Sequence, residues 1–335
     1  MKTLVFLLAG LFVHAAPAAQ DPSTSSGQAL STSAGQGYPT RPVRMIAPFP
    51  ASSGTDIAAR QIAQKLSERW RYQVVVDNRP GATGIIGTDL AAKAQPDGYT
   101  ILMGNAATQA INVSLSTVPY DPVRDFAPIT LVARVPQILV VNPSMNAQNL
   151  KEFIALARTR PKQLSFGSAG IGSSPHLAAE LFAHLADLKL VHVPYKGSTP
   201  GMVDLMGGQI HMFFSNILSA IPHVRNGKLR ALGVTSLKRS VVAPDVPTLV
   251  EAGLPNYEEY NWYGILAPRR TPKPIIDKLH TDIVAVLAAP DVVERMTRDG
   301  AEIGAGTPAE FASFIKSETA KYAQLIKALG LRATP

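Results

Sequence analysis

Cysteine is absent from all 335 residues. The chain therefore has no thiol nucleophile, no thiolate metal ligand and no cysteine for a lipid anchor. Nor does it need a disulfide, being long enough to bury one or two real cores. Charge is sparse: Asp, Glu, Lys and Arg make up 17% of the sequence, with a formal net charge of +8. The basic residues are scattered, and no basic run is interleaved with aromatics, so a nucleic-acid partner is not expected. Long apolar runs are missing too. The stretch Leu4 to Val13 falls well short of the ~20 residues that span a bilayer. No G-x-S-x-G nucleophile elbow and no Walker phosphate loop occurs, which removes two common enzyme signatures.

That short apolar stretch does have a reading. Lys2 precedes it and the small residues Ala15 to Ala19 follow it, with Ala16 and Ala18 in A-x-A spacing. This is the layout of a secretory signal peptide over residues 1–18, which places the mature protein in the periplasm. The formal charge drops by one when Lys2 is removed. A basic surface helps collect anionic solutes and equally keeps a protein soluble. Residues 19–37, rich in Ser, Thr and Gly, have no apolar periodicity and read as a disordered lead-in, so the fold is expected to start at Tyr38.

From there strands and helices alternate. Val43–Ala47, Gln73–Asp77 and Thr100–Gly104 read as strands, separated by helices over Thr55–Trp70 and Gly84–Ala94. A second series has strands at Gln137–Val141, Leu164–Ser168, Lys189–Val193, His211–Ser215 and Leu229–Thr235, with helices at Leu150–Arg160, Pro175–Ala186, Pro200–Met206 and Ile217–Asn226. After the proline-rich stretch Pro244 to Pro255 come a strand, Asn261–Leu266, and helices over Lys273–Ala288, Asp291–Asp299 and Pro308–Leu329. This is an α/β chain with two mixed, mostly parallel sheets flanked by helices. Lobe 1 comprises residues 38–135 plus 259–335, and lobe 2 residues 136–258, with crossings near Arg134–Pro136 and Pro255–Tyr260. Ser174-Pro175, Thr199-Pro200 and Thr307-Pro308 each place a capping hydroxyl before a proline at a helix start. Asn149 with Glu152, and Thr307 with Glu310, have capping-box spacing.

In open α/β sheets ligands sit beyond the carboxyl ends of the strands. Here those ends run into Pro48–Asp56, Asn105–Thr108, Ala169–Ser174, Pro194–Thr199 and Ser215-Asn216. These loops are rich in Gly, Ser and Thr, and most lead into a helix N-terminus, whose unpaired N–H groups suit an anion without a matching arginine. Every strand-to-helix turn needs a cap, so one such loop says little; four or five on one edge point to a ligand. The expected ligand-binding residues are Phe49, Ser52, Ser53, Thr55, Ala107, Thr108, Ser168, Ser173, Tyr195 and Ser215. Hydroxyls and loop amides would hold a carboxylate, while Phe49 and Tyr195 would pack on its carbon skeleton. Trp262 is a further aromatic expected near the cleft or closing the core beneath it, and Lys196 would pair with a ligand carboxylate or lie on the surface as an ordinary lysine. No catalytic residue, metal or cofactor is expected. Gly81 to Gly87 has G-x-x-G-x-x-G spacing rather than a dinucleotide fingerprint. His176, Glu180 and His184 share a helix face but lack zincin spacing.

Several segments together resemble one family, the periplasmic receptors of tripartite tricarboxylate transporters (the Bug or TctC-type solute-binding proteins). They are Tyr38–Arg44, Pro48-Phe49-Pro50 with Asp56, Val74–Gly81, Pro96–Thr100, Pro119–Pro122, Gly172-Ser173 with His176-Leu177, Val193–Gly197, Gly207-Gly208-Gln209, Gly227–Leu232 and Asp245–Thr248. The resemblance runs from Tyr38 to Leu329. It implies a two-lobed type II periplasmic-binding-protein fold, a small mono-, di- or tricarboxylate ligand (aliphatic or aromatic), and delivery by a monomeric receptor to a two-component membrane permease. Two other readings are a ligand sensor docking on a membrane regulator, and a secreted serine hydrolase using Ser168 or Ser173 with His176. The chain departs from the family pattern in three places: Ser52 and Ser53 precede Gly54 where consecutive glycines are usual, Thr83 stands where another glycine is common, and Ser215 where an aspartate is frequent.

Overall fold

The β-branched runs become strands, and the amphipathic runs become the helices that cover them. The computed structural model describes residues 37–298 and 300–331. The expected signal peptide lies outside these residues, as does the lead-in apart from Gly37. In chain order the first elements are β1 Val43–Ala47, α1 Gly54–Trp70, β2 Val74–Asn78, a 3-10 turn Ala82–Gly84, α2 Ile85–Ala92 and β3 Thr100–Asn105. A π-helical turn Ala107–Ile111 follows, then α3 Asn112–Leu115 and the long strand β4 Phe126–Val141. Next come α4 Leu150–Thr159, β5 Ser165–Ser168, α5 Ser174–Leu185, β6 Val191–Pro194, α6 Ser198–Met206, β7 Met212–Asn216, α7 Ile217–Arg225 and β8 Arg230–Val234. The chain then continues through β9 Tyr260–Pro268, α8 Lys273–Leu287, α9 Pro290–Arg298, β10 Glu302–Ile303 and α10 Pro308–Ala328.

Two sheets share one strand. In the first, β1 runs parallel to β2 and β3, and β9 runs antiparallel to both β3 and β4. In the second, β5 is parallel to β6 and β7, and β4 lies antiparallel between β7 and β8. β4 changes partner between Pro136, opposite Tyr260 on β9, and Gln137, opposite Asn216 on β7. Side chains alternate across each sheet. Ile138 and Val140 pack with Phe213 and Ile217 on the α6 and α7 side, while Leu139 and Val141 pack with Phe182 and Phe214 on the α5 side. In the first sheet, Met45 and Ile265 meet α1 and α8, whereas Ile46 and Trp262 meet Phe311 of α10. Each such buried side chain contributes ~1.5–3 kcal/mol.

Sequence pattern and structure part company at β4 and at two helix starts, and the structure decides the place of Trp262. The strand expected over Gln137–Val141 is the second half of β4, which begins at Phe126. Pro128 and Pro136 argue against a strand there, since proline cannot donate to a ladder. The ladder accommodates Pro128 by shifting register before Thr130, and Pro136 sits at the partner change. Ser173 caps α5 and Gly197 precedes α6, so Ser174 and Thr199 lie inside their helices rather than capping them. Thr307 does cap α10, in a complete capping box with Glu310, and Asn149 accepts the Glu152 N–H at the start of α4. Trp262 is fully buried against Phe311 and Phe314, with its indole N–H donated to Glu318. It closes the core, and its neighbour Tyr263, on the opposite face, is the aromatic that reaches the start of α1.

Candidate functional site

The first wall is the loop between β1 and α1. Ser53 is the N-cap of α1, and its hydroxyl accepts the Asp56 N–H at 3.3 Å. Ser52 has φ of 64°, the left-handed region that costs an L-residue about 1–2 kcal/mol. Asp56 holds it there by accepting its N–H at 2.8 Å. The same carboxylate takes Arg60 Nε at 3.0 Å and Asn78 Nδ2 at 2.9 Å. Burial raises the Asp56 pKa, but the Arg60, Asn78 and Ser52 hydrogen bonds outweigh it and leave the group below its ordinary value. The loop is thus fixed before any ligand arrives. Gly54 and Thr55, in the first turn of α1, have N–H groups with no intrahelical acceptor. A Cβ at Gly54 would collide with the Tyr263 phenol, which itself accepts Asn261 Nδ2 at 3.0 Å.

Behind this loop stands the end of β3. Asn105 donates to Thr55 Oγ1 at 3.0 Å, and its backbone N–H and side-chain oxygen exchange hydrogen bonds with Thr108 Oγ1 and N, both at 3.1 Å. Thr108 is fully buried and Ala107 nearly so. The Thr108 hydroxyl is spent within its own turn. Phe49 is half-buried; a Cβ at Gly84 would come within 3.0 Å of its ring and 2.7 Å of Thr108 Cγ2, so Phe49, Gly84 and Thr108 form one packed group.

The second wall belongs to the other sheet. Ser168 Oγ lies 2.7 Å from His192 Nε2 and accepts the Gly170 N–H at 3.1 Å. Ser173 Oγ donates to the Gly170 carbonyl at 2.6 Å. His192 lies against both Phe166, at 4.8 Å, and His176, at 4.2 Å, in a triangle of rings whose third side, Phe166 to His176, is 6.3 Å. Burial, and then the neighbouring His176, pull the His192 pKa down to about 3, so the ring is neutral. His176 Nδ1 accepts the Gly172 N–H at 3.2 Å. The Tyr195 hydroxyl donates to Asp204 at 2.7 Å; burial and this carboxylate push it up to about 12, and its ring packs over Gly201 on the α6 side of the second sheet. Ser215 is fully buried, and its hydroxyl has no partner among the described residues. Lys196 is exposed.

The two walls touch. Thr83 Oγ1, from the 3-10 turn before α2, donates to the Ile171 carbonyl at 3.0 Å. Asn112 Nδ2 steadies the Thr83 carbonyl at 3.0 Å, and a Cβ at Gly172 would meet Leu115 at 3.0 Å and Asn112 at 3.1 Å. Leu177 of α5 is buried among Ala110, Ile111 and Trp262 of the first lobe. The start of α5 is thereby clasped to the first lobe. The structure thus gathers Phe49, Ser52, Ser53, Thr55 and Thr108 on one side of the clasp, and Ser168 and Ser173 on the other. It also turns several of their hydroxyls inward to hold the loops. Thr83, Asn105, Asn112 and Tyr263 were not expected. Thr83 was visible only as a non-glycine in a glycine-rich loop. An open groove of about 1420 Å³ lies elsewhere, between Val113–Asp121 and the end of α10, and no expected site residue lines it.

Residues 58–331 match a family-wide profile described as "Tripartite tricarboxylate transporter family receptor". The protein BugT of Bordetella pertussis is 38% identical over 297 residues, covering 88% of this chain and 91% of that protein. Among solved structures, a Rhodopseudomonas palustris protein with adipate superposes with a TM-score of 0.83 at 37% identity, covering 88% of this chain and 99% of that one. MatC from the same organism, with bound malate, gives 0.80 at 30% identity, covering 86% and 100%. The two-lobed type II periplasmic-binding fold that the sequence resemblance implied is the fold observed.

Proposed function

Because this chain belongs to the receptor family of tripartite tricarboxylate transporters, a family of periplasmic solute-binding proteins rather than enzymes, we propose that it captures a small organic carboxylate between its lobes. It then presents the solute to a two-component membrane permease. The N–H groups at the starts of α1 and α5 hold the carboxylate, with the hydroxyls of Ser52, Ser53 and Ser215 as further donors. The Phe49 and Tyr195 rings flank the carbon skeleton. Ala107, Thr108, Ser168 and Ser173 set the loops, and Thr55 ties the first loop to β3. The observation that carries this reading is the clasp, the Thr83–Ile171 hydrogen bond and the buried Leu177 that tie the start of α5 to the first lobe, in two lobes joined by a continuous strand. Oriented N–H groups attract an anion there without a cationic side chain. Relatives whose structures hold adipate and malate support the carboxylate class.

A thermal-shift screen against aliphatic and aromatic mono-, di- and tricarboxylates tests it. A ligand at a hundred times its dissociation constant stabilises the folded state by about 2.7 kcal/mol. That is a rise of roughly 4 °C in Tm for a chain of this size. A flat response to every acid, with sugars or amines shifting the transition instead, rejects the carboxylate reading.

A further inference from the structure

Among the described residues, three buried polar atoms without a partner lie near where β4 changes sheets: Arg134 Nε on the side of the first sheet, and Gln137 Oε1 and Ser215 Oγ on the side of the second. Gln137 is 3% exposed and is held at both ends. Its backbone N–H donates to Thr235 Oγ1 at 2.8 Å, and its side-chain N–H donates to Ser174 Oγ at 2.9 Å. Ser174 is the first residue of α5, free to make this bond because Ser173 takes the capping position. The amide is therefore anchored under the very helix start that the clasp brings against the first lobe, and its oxygen is left with no donor. A buried acceptor in this condition costs about 1–3 kcal/mol until something donates to it. A carboxylate cannot do so, since it carries only lone pairs. An ammonium group is disfavoured as well, because the acids that flank the walls are already engaged, Asp56 by Arg60 and Asn78, Asp204 by Tyr195.

Building on the carboxylate reading above, we propose that Gln137 is a specificity-determining residue. Its amide oxygen accepts a hydrogen bond from a hydroxyl on the ligand's carbon skeleton, so the preferred solute is a hydroxy-substituted acid rather than the bare acid of the same length. A site built to bond a hydroxyl discriminates strongly against the analogue that lacks it, because the buried partner is then left unpaired.

The test is calorimetric titration of the wild-type protein and Gln137→Met with matched pairs, malate against succinate and 2-hydroxyadipate against adipate. Unfolding midpoints of both proteins are recorded alongside. The wild type is expected to bind the hydroxylated member of whichever pair it accepts roughly ten- to hundredfold more tightly. Gln137→Met should bring the two members level, chiefly by weakening the hydroxy acid. An ordered water satisfying Oε1 would abolish the preference. So equal affinities in the wild type, a measurement that needs no variant to fold, overturn the proposal, as does a preference that survives in Gln137→Met. If carboxylates bind without regard to the hydroxyl, this inference alone falls. If no acid binds, the carboxylate reading falls with it.

Discussion

Replacing Thr83 with glycine pulls apart two energies that its side chain now combines. Thr83 has φ of 52° and ψ of 40°, left-handed backbone that a β-branched residue rarely adopts. Relief of that strain is worth about 1–2 kcal/mol. Glycine gives back roughly 0.5–1 kcal/mol through the extra freedom of the unfolded chain. The folded, ligand-free protein should therefore be unchanged or slightly stabilised. The clasp behaves differently. Its hydrogen bond to the Ile171 carbonyl exists only while the lobes touch, and a neutral hydrogen bond contributes about 0.5–1.5 kcal/mol net. Losing it lowers the closed population, and with it the apparent affinity, by roughly 2- to 13-fold, mostly through faster release. Urea unfolding without ligand measures the first energy, and stopped-flow ligand release measures the second. Thr83→Ser keeps the hydroxyl and should release ligand at close to the wild-type rate. An unchanged release rate in Thr83→Gly, or a loss in Thr83→Ser as large as in Thr83→Gly, would refute the clasp.

Two more variants probe the walls. Gly54→Ala should weaken binding and cost about 1–3 kcal/mol of stability by overpacking against the Tyr263 phenol; adding Tyr263→Phe removes the colliding oxygen and should restore part of both, a coupling that a double-mutant cycle measures. His192 is neutral in the fold, with its pKa lowered to about 3, whereas the unfolded imidazole takes a proton near its ordinary 6.5. The unfolded state therefore binds more protons across that window, and stability is lost as pH falls from 6.5 toward 3. His192→Phe, which can keep the stack on Phe166, should flatten this decline in urea midpoints; parallel pH profiles for the two proteins would contradict the assignment.

Much of this architecture is legible in the order of residues, because hydrophobic period and helix caps are local. Val43–Ala47 as a strand, the helix ending at Trp70 and the capping box at Thr307 each depend on neighbours within a few positions. What stayed hidden depends on distant partners. The first half of β4 is concealed by two prolines that only its ladder with β9 explains. The choice between Trp262 and Tyr263 as the aromatic at the site turns on strand phase, where one residue reverses the face. The candidate loops stand out, but the duties of their hydroxyls do not. A serine that caps, such as Ser53, one that braces a turn, such as Ser173, and one left unpartnered, such as Ser215, look alike in one dimension. Gln137 gives no sign at all until Ser174 is found beside it.

The single strand β4 has a consequence for ancestry and engineering. A fragment ending at Pro136 would deprive the second sheet of the strand between β7 and β8, and one starting at Gln137 would leave β9 with neither β3 nor β4 beside it. Neither lobe is a transplantable module. Recombination between relatives must carry both halves together, and heating the chain should melt them in one transition rather than two.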